Sequence, residues 1–342
     1  MSFSEIIGQP DLIARLGNAL SGVPGHAYML LGPTGSGRRL IARAFAKALL
    51  CANATALGSC DVCDSCRHFD HGVHPDFTML AVEGKDKGIK VERVRRAVCA
   101  DVQMKPQLSR RKVYLILADD LNEQGQNALL KTLEEPPEYA VFLLVSAGSE
   151  RLLPTIRSRV VPLTPARLSE HDTELIIRRS SEAAGMNADQ IRFYARYAAG
   201  VPGTALTLLA EDWFAPLRTE VADFYFQTPK ASHVDILTDG YAFFETNKPH
   251  VGDMLDILQS LVRDELVLLT TRQPDTVVNQ DFLPRLRDRL KGPDAHKPDR
   301  ERRLAAISEA IQKTRKGLTY NVSFEISVCQ LLIVLRRESI YA

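Results

Sequence analysis

Residues 32–39 read Gly32-Pro33-Thr34-Gly35-Ser36-Gly37-Arg38-Arg39. The glycine spacing fits a phosphate-binding loop, G-x-x-x-x-G-K-[ST], whose backbone N–H groups surround phosphates, whose lysine reaches the terminal phosphates and whose hydroxyl holds Mg²⁺. Arg38 and Arg39 stand at the lysine and hydroxyl positions. A guanidinium cannot supply the oxygen ligand that Mg²⁺ prefers. The stretch therefore predicts a nucleotide-binding fold that has lost its own hydrolysis.

The flanking segments place this loop between a strand and a helix. Residues 27–31 are an apolar run of strand length, and residues 40–49 are alanine-rich with apolar positions at helical spacing. This context favours a phosphate-binding loop, and a glycine-rich turn in an ordinary α/β domain is the alternative. Further strand-like segments at 112–118, followed by two acids, and at 141–146 alternate with helical ones. The pattern predicts a parallel sheet with helices on both faces.

The overall composition is that of an ordinary globular protein. The chain has 342 residues, of which 45% are hydrophobic and 25% charged, which allows roughly two or three domains. A net charge of +1 neither requires nor excludes a nucleic-acid partner. No apolar run approaches the ~20 residues of a membrane span, and the N-terminus lacks the features of a signal peptide. We expect a cytoplasmic protein that does not contact a membrane.

Four of the six cysteines lie in one short stretch with the spacing C-x₈-C-x₂-C-x₂-C. They are Cys51, Cys60, Cys63 and Cys66. Two-residue spacers let successive thiolates converge on one tetrahedral Zn²⁺, and four thiolates leave no open position for catalysis. The alternatives are a pair of disulfides, which a reducing cytosol disfavours, and a reactive Cys63–Cys66 pair. The spacing predicts a structural zinc module.

Several segments, in this order, resemble the clamp-loader subunits of bacterial DNA polymerase III, a family within the AAA+ class. They are Ile6-Ile7-Gly8-Gln9, the glycine loop, the four-cysteine stretch, His74-Pro75-Asp76, Asn127-Ala128-Leu129-Leu130-Lys131-Thr132-Leu133-Glu134-Glu135-Pro136-Pro137 and Thr155-Ile156-Arg157-Ser158-Arg159. Together they cover roughly the first 165 residues. The cysteine insert restricts the resemblance to the family's ATPase subunit and a relative that does not hydrolyse ATP. No role is assigned to His74 itself.

Three positions that handle ATP in the ATPase branch are altered here. The loop lacks its lysine and hydroxyl residue. Counting back from Asn127, the family's acidic pair falls near Ile116 and Leu117, which are apolar, so we interpret Asp119 and Asp120 as loop or cap residues. The segment 200–206, where the ATPases carry a phosphate-sensing arginine, contains none. The resemblance therefore implies the non-hydrolysing branch.

One catalytic element of the family is retained. Its ATPase domain ends in a Ser-Arg-Cys motif whose arginine reaches the ATP site of the neighbouring subunit, and the match here is Ser158-Arg159-Val160. The resemblance implies that Arg159 is an arginine finger acting in trans, with Arg157 as a weaker candidate. Such fingers accelerate phosphoryl transfer by about 10³- to 10⁵-fold. The alternative is that Arg159 only forms an ion pair at an interface.

The resemblance also implies a domain organisation. Residues 1–165 would form an AAA+ nucleotide-binding-like domain with the zinc module at 51–66, residues 166–209 a small helical lid, and residues 210–342 a helical collar that holds an oligomer together. Apolar residues at helical spacing in 256–266 and 324–335 agree with a helical C-terminal half.

The expected function is that of an accessory subunit. Its partners would be the gamma/tau ATPase and delta subunits in a hetero-pentamer and, through that complex, the sliding clamp and primer–template DNA. Its cofactor would be structural Zn²⁺, and the degenerate loop would turn over no ATP. The loop residues concerned are Gly32, Gly35, Gly37, Arg38 and Arg39. A weakly active gamma/tau-type ATPase and a zinc-containing AAA+ adaptor outside replication are the alternatives.

Overall fold

The computed structural model of the chain describes residues 2–84, 86–291, 297–320 and 322–339. The chain divides into two compact units. The first comprises Met1–Gly185 with Ala198–Leu206, and the second Met186–Tyr197 with Thr207–Ala342. The finer division into 1–165, 166–209 and 210–342 stays a prediction, and its terminal residues 1 and 340–342 lie outside the described part of the chain.

The first unit is built on a parallel sheet of five strands, in the order β2-β3-β4-β1-β5. The strands are β1 (Ala27–Leu31), β2 (Phe77–Leu80), β3 (Lys112–Leu117), β4 (Ala140–Ser146) and β5 (Val161–Leu163). Strands β3 and β4 are buried along their whole length, as expected where helices cover both faces of a parallel sheet. The predicted α/β parallel-sheet fold is confirmed.

The helices follow the predicted alternation with the strands. They are α1 (Pro10–Ser21), α2 (Arg38–Leu50), α3 (Asp64–Asp70), α4 (Val91–Val94), α5 (Glu123–Glu134), α6 (Pro154–Arg157), α7 (Glu170–Arg178), α8 (Ala188–Tyr197), α9 (Pro202–Leu209), α10 (Phe214–Gln227), α11 (His233–Thr246), α12 (Val251–Thr271), α13 (Leu283–Arg289), α14 (Lys297–Thr319) and α15 (Phe324–Ser339). Alternate residues of β4 pack on opposite faces of the sheet: Leu143 joins the core that contains Phe45 of α2, whereas Phe142 joins the core that contains Leu129 of α5.

Helix α5 shows how local sequence sets an element boundary. It starts four residues before Asn127 because the Asn122 side chain accepts a hydrogen bond of 2.8 Å from the N–H of Gly125, which is a strongly preferred N-cap arrangement. It stops before Pro136 and Pro137, which disfavour a helical residue ahead of them. The segment thereby ends close to the start of β4.

The described residues of the second unit form α8, the last residues of α9, α10 to α15 and short 3₁₀ turns. Helix α12 buries Leu255, Leu258, Leu261 and Val262 along one stripe, the helical spacing seen in the sequence. In the described residues, no helix combines the length and apolar character that crossing a bilayer requires.

Candidate functional site

The glycine loop connects β1 to α2 at the carboxyl edge of the sheet. The N–H of Gly32 donates to the carbonyl oxygen of Ser146 at the end of β4, at 3.3 Å. Gly35 and Gly37 have φ angles of +86° and +82°, a region that suits glycine. Strand, loop and helix N-terminus therefore have the arrangement of a phosphate-binding loop.

Of the two arginines at the lysine and hydroxyl positions of the loop, Arg38 is the buried one. Its side chain is only 9% exposed, and its Nη1 lies 3.7 Å from Oδ2 of Asp119. Among the described residues, Nη1 has no hydrogen-bond partner. Burial lowers the pKa of Arg38, and the charge of Asp119 opposes that shift. Arg39, at the hydroxyl position, is exposed, so no oxygen ligand for a metal stands there.

Asp119 lies in the turn after β3 and is engaged by the neighbouring strand. Its Oδ1 accepts a hydrogen bond from the Ser146 hydroxyl at 2.6 Å, and its Oδ2 accepts one from the N–H of Ala147 at 2.8 Å. The interpretation as a loop and capping residue agrees with these bonds, although the sequence did not reveal its approach to Arg38. Ile116 and Leu117 end β3 as buried apolar residues.

A cavity of about 900 Å³ lies beside the loop. Its lining comes from the N-terminal segment, the loop, the turn after β3, and α7 and α9: Glu5, Ile6, Ile7, Gln9, Thr34, Gly35, Ser36, Gly37, Arg38, Arg39, Leu40, Ile41, Asp119, Asp120, Leu168, Ile176, Arg179, Pro202, Gly203 and Leu206. The volume is within the range of ligand pockets.

One wall of this cavity touches the loop directly. The N–H of Gly203, at the start of α9, donates to the carbonyl oxygen of Gly35 at 2.9 Å. A Cβ on Gly203 would lie 2.4 Å from Cα of Gly35, so only glycine fits. Segment 200–206 contains no arginine or lysine, so it brings no cationic side chain to this contact. Here backbone packs against backbone instead.

The four clustered cysteines converge as their spacing predicted. Their Sγ atoms all lie within 4.8 Å of one another, with Cys51 at 3.4 Å from Cys60 and 3.8 Å from Cys63. Sulfur atoms around a tetrahedral Zn²⁺ with bonds of about 2.3 Å are separated by about 3.8 Å. Hydrogen bonding from the Val62 N–H lowers the pKa of Cys60 to about 6, whereas burial raises that of Cys66. The cluster can hold a metal ion, and its donors are compatible with zinc.

A buried lysine ties the cysteine loop to α2. Lys47 has a side chain 2% exposed, and its Nζ lies 2.6 Å from Oδ1 of Asp61 and 2.8 Å from Oδ2 of Asp70. Asp61 stands between the cysteines and has a φ of +60°, an uncommon conformation for a residue other than glycine. The ion pairs therefore fix the loop that carries Cys60 and Cys63.

His74, for which we predicted no role, lies at the centre of a buried network. Its Nδ1 accepts from the N–H of Asp76 at 3.0 Å, so its Nε2 carries the proton toward the hydroxyls of Ser65 and Ser109. Both hydroxyls donate to the carbonyl oxygen of Leu50. The histidine thus joins the start of α3 to the end of α2, beside the cysteine cluster.

Arg159 follows α6 and lies outside the set of described residues that line the cavity beside the loop. Its Nη1 donates to the carbonyl oxygen of Thr155 at 2.8 Å and to Oγ of Ser158 at 3.1 Å, while Nη2 forms an ion pair with Glu134. Arg157 is exposed. The pairing with Glu134 was missed because the two residues are 25 apart in the sequence.

Comparison with known proteins agrees with this geometry. Residues 8–168 match the family model described as "DNA polymerase III, delta subunit". The chain is 46% identical over 137 residues to a DNA polymerase III subunit delta' of Pseudomonas aeruginosa, covering 40% of this chain and 42% of the relative. It is 35% identical over 214 residues to a DNA polymerase III subunit gamma of Buchnera aphidicola, covering 61% and 57%. The alignments thus span less than two thirds of either relative.

A solved structure of a gamma-subunit-related protein of DNA polymerase III from Thermotoga maritima is similar over 96% of this chain and all of that one, with a TM-score of 0.40 and 16% identity. The parallel sheet, with its glycine loop, flanking helices and cysteine cluster, is an α/β fold of the phosphate-binding-loop kind. Residues 8–168 of this chain are similar to DNA polymerase III clamp-loader subunits, and the relative of 46% identity is a delta prime subunit.

Proposed function

We propose that this chain is a non-catalytic subunit of the bacterial replicative clamp loader. It assists the ATP-dependent loading of the sliding clamp onto primed DNA, and it supplies Arg159 in trans to a neighbouring gamma/tau ATPase subunit. The gamma/tau and delta subunits are its partners in a cytoplasmic hetero-pentamer. The observation that carries the proposal is that Arg38, at the place where an ATPase needs a lysine, is paired with Asp119 of the neighbouring turn.

Three features argue that the chain does not turn over ATP itself. Position 39 offers no hydroxyl for Mg²⁺. The carboxylate of Asp119 already accepts hydrogen bonds from the end of β4. Gly203 packs on Gly35 where the ATPase branch places a cationic sensor. Phosphoryl transfer depends on positioning and charge stabilisation, and these changes remove both.

Arg159 is positioned to serve another chain. Its side chain is about one-third exposed, at 32%, and it stands apart from the cavity beside its own loop. A guanidinium delivered to the γ-phosphate of a neighbour would stabilise the charge that develops there. Ser158 supports Arg159 by accepting a hydrogen bond from its Nη1.

The cysteine cluster is proposed as a structural zinc site. Four thiolates would complete a tetrahedral shell and leave no position for substrate. The bound ion would hold together the loop between α2 and α3. It therefore contributes to folding and not to ATP chemistry.

The test is reconstitution of the assembly with gamma/tau and delta subunits, comparing wild type with Arg159→Ala. We expect loss of DNA- and clamp-stimulated ATP turnover at the adjacent site, by about 10³-fold, with assembly preserved. Arg157→Ala is the matched control and should keep activity. Full activity of Arg159→Ala would refute the proposal that Arg159 is an arginine finger.

A weakly active gamma/tau-type ATPase is the second candidate, favoured by the longer alignment with the gamma relative. Robust ATP hydrolysis by the isolated chain would establish it. The third candidate function, that of an adaptor outside replication, has no support from the comparisons. Only a failure of the chain to assemble with clamp-loader subunits would favour it.

A further inference from the structure

Both terminal amino groups of the Arg159 guanidinium have partners in this chain. One amino group is hydrogen-bonded to the carbonyl oxygen of Thr155 and to Ser158, and the other is paired with the carboxylate of Glu134. Glu134 is the last residue of α5. The pair lies in a shallow cavity of about 420 Å³, lined also by His26, Leu133, Val160 and Val161.

The ion pair with Glu134 opposes the proposed role of Arg159 as an arginine finger. A finger stabilises a phosphoryl group through its positive charge, and a carboxylate in contact with the guanidinium cancels that charge. If Glu134 travelled with Arg159 into a neighbouring ATP site, it would also bring a negative charge toward the phosphates. Arg159 therefore has to exchange Glu134 for phosphate in order to act.

We infer that Glu134 is a positioning residue that retains Arg159 in the free chain and releases it when a neighbour's ATP site is presented. The inference rests on the proposed role of Arg159 as a finger in trans. Glu134 is not among the described residues that line the cavity beside the loop, and in this proposal it acts only through the arginine.

The exposure of the pair makes such a release feasible. The side chains of Arg159 and Glu134 are 32% and 47% exposed, so solvent and an approaching subunit can both reach them. Partly exposed ion pairs contribute little to stability, which makes the retention weak and reversible. The hydrogen bond from Arg159 to the carbonyl oxygen of Thr155 lies within the segment that carries Arg159. This uncharged oxygen does not neutralise the positive charge of the guanidinium.

The experiment uses the reconstituted assembly with Glu134→Gln, a variant that keeps the size of the side chain and removes its charge. We expect stimulated ATP turnover and the affinity for ADP with aluminium fluoride, a transition-state mimic, each to rise about twofold to fivefold. The KM for ATP should stay unchanged. Glu135→Gln removes the same charge from the adjacent exposed residue and should behave as wild type.

A second set of variants separates this inference from the function on which it rests. Glu134→Gln should have no effect in an Arg159→Ala background, because the carboxylate acts only through the arginine. Suppose that Arg159→Ala abolishes stimulated turnover, while Glu134→Gln has the turnover of wild type or less. The proposal that Glu134 retains Arg159 is then wrong, and the proposal that Arg159 is an arginine finger is supported. If Arg159→Ala is fully active, both proposals fail.

Discussion

Nη1 of Arg38 lies 3.7 Å from Oδ2 of Asp119, so the buried arginine of the glycine loop is paired with an acid of the turn after β3. In an active site of this class, a lysine at the place of Arg38 faces the nucleotide phosphates, whereas Asp119 is an acid outside the predicted acidic-pair positions 116 and 117. Here the acid is also hydrogen-bonded to Ser146 and Ala147. The pair is therefore part of the fold, and restoring the loop alone should not restore chemistry.

We predict that Arg38→Lys combined with Arg39→Thr will give no ATP turnover by the isolated chain. The double variant recovers the loop sequence, but Ile116 and Leu117 still provide no carboxylate for the metal or water. Turnover is measured as phosphate release with Mg²⁺. A rate comparable to that of an active ATPase, typically ~1 s⁻¹ or more, would show that the remaining site is competent.

We predict that Gly203→Ala will loosen the contact between the loop and α9. The added Cβ would lie 2.4 Å from Cα of Gly35, and relief of such overpacking typically costs about 1–3 kcal/mol. Amide hydrogen exchange in residues 32–39 should accelerate under native conditions. Gly252→Ala, where a Cβ meets nothing within 4 Å, is the control. Unchanged exchange in Gly203→Ala would contradict the close packing.

The central strands β1, β3 and β4 were predictable because they are nearly continuous apolar runs, and Ala27–Leu31 was recognised at its observed bounds. The convergence of the cysteines was predictable because their short spacers leave them few arrangements. Both features depend on residues close together in the chain, where local pattern and local geometry agree.

The contacts that define the site are long-range, and the sequence could not show them. Gly203 packs on Gly35 only because the chain returns to the loop through α9, and no spacing rule links the two. His74 was passed over because a lone histidine carries no signal, although it binds two distant serines. Such pairings follow from the assembled fold.

We predict that the chain holds one zinc ion per molecule and that Cys60→Ser will lose it. Removing one thiolate leaves an incomplete shell around the metal, so the variant should melt at a lower temperature, and a chelator should affect wild type in the same direction. Zinc content is measured by atomic emission after gel filtration. Cys329→Ser, outside the cluster, should retain the ion. A full zinc complement in Cys60→Ser would contradict the four-cysteine assignment.

We predict that His74 makes stability fall as the pH drops through the mildly acidic range. Burial lowers the pKa of His74 from its ordinary value of 6.5, so the folded protein holds the neutral ring. Below about pH 6.5 the unfolded chain binds a proton that the folded one resists. The unfolded state then binds more protons, and the free energy of unfolding decreases by at most about 1.4 kcal/mol per pH unit. Above that pH the contribution of His74 is constant.

The measurement is urea unfolding between pH 5 and 8, at saturating zinc, for wild type and His74→Gln. The variant should be less stable than wild type at pH 8, since the bonds to Ser65 and Ser109 are disturbed, and the gap should narrow toward pH 5 because glutamine does not titrate. His233→Gln, the same substitution at an exposed position, is the control. If the free energy of unfolding falls in parallel with pH for wild type and His74→Gln, other groups, such as the cluster thiolates, cause the loss of stability in acid.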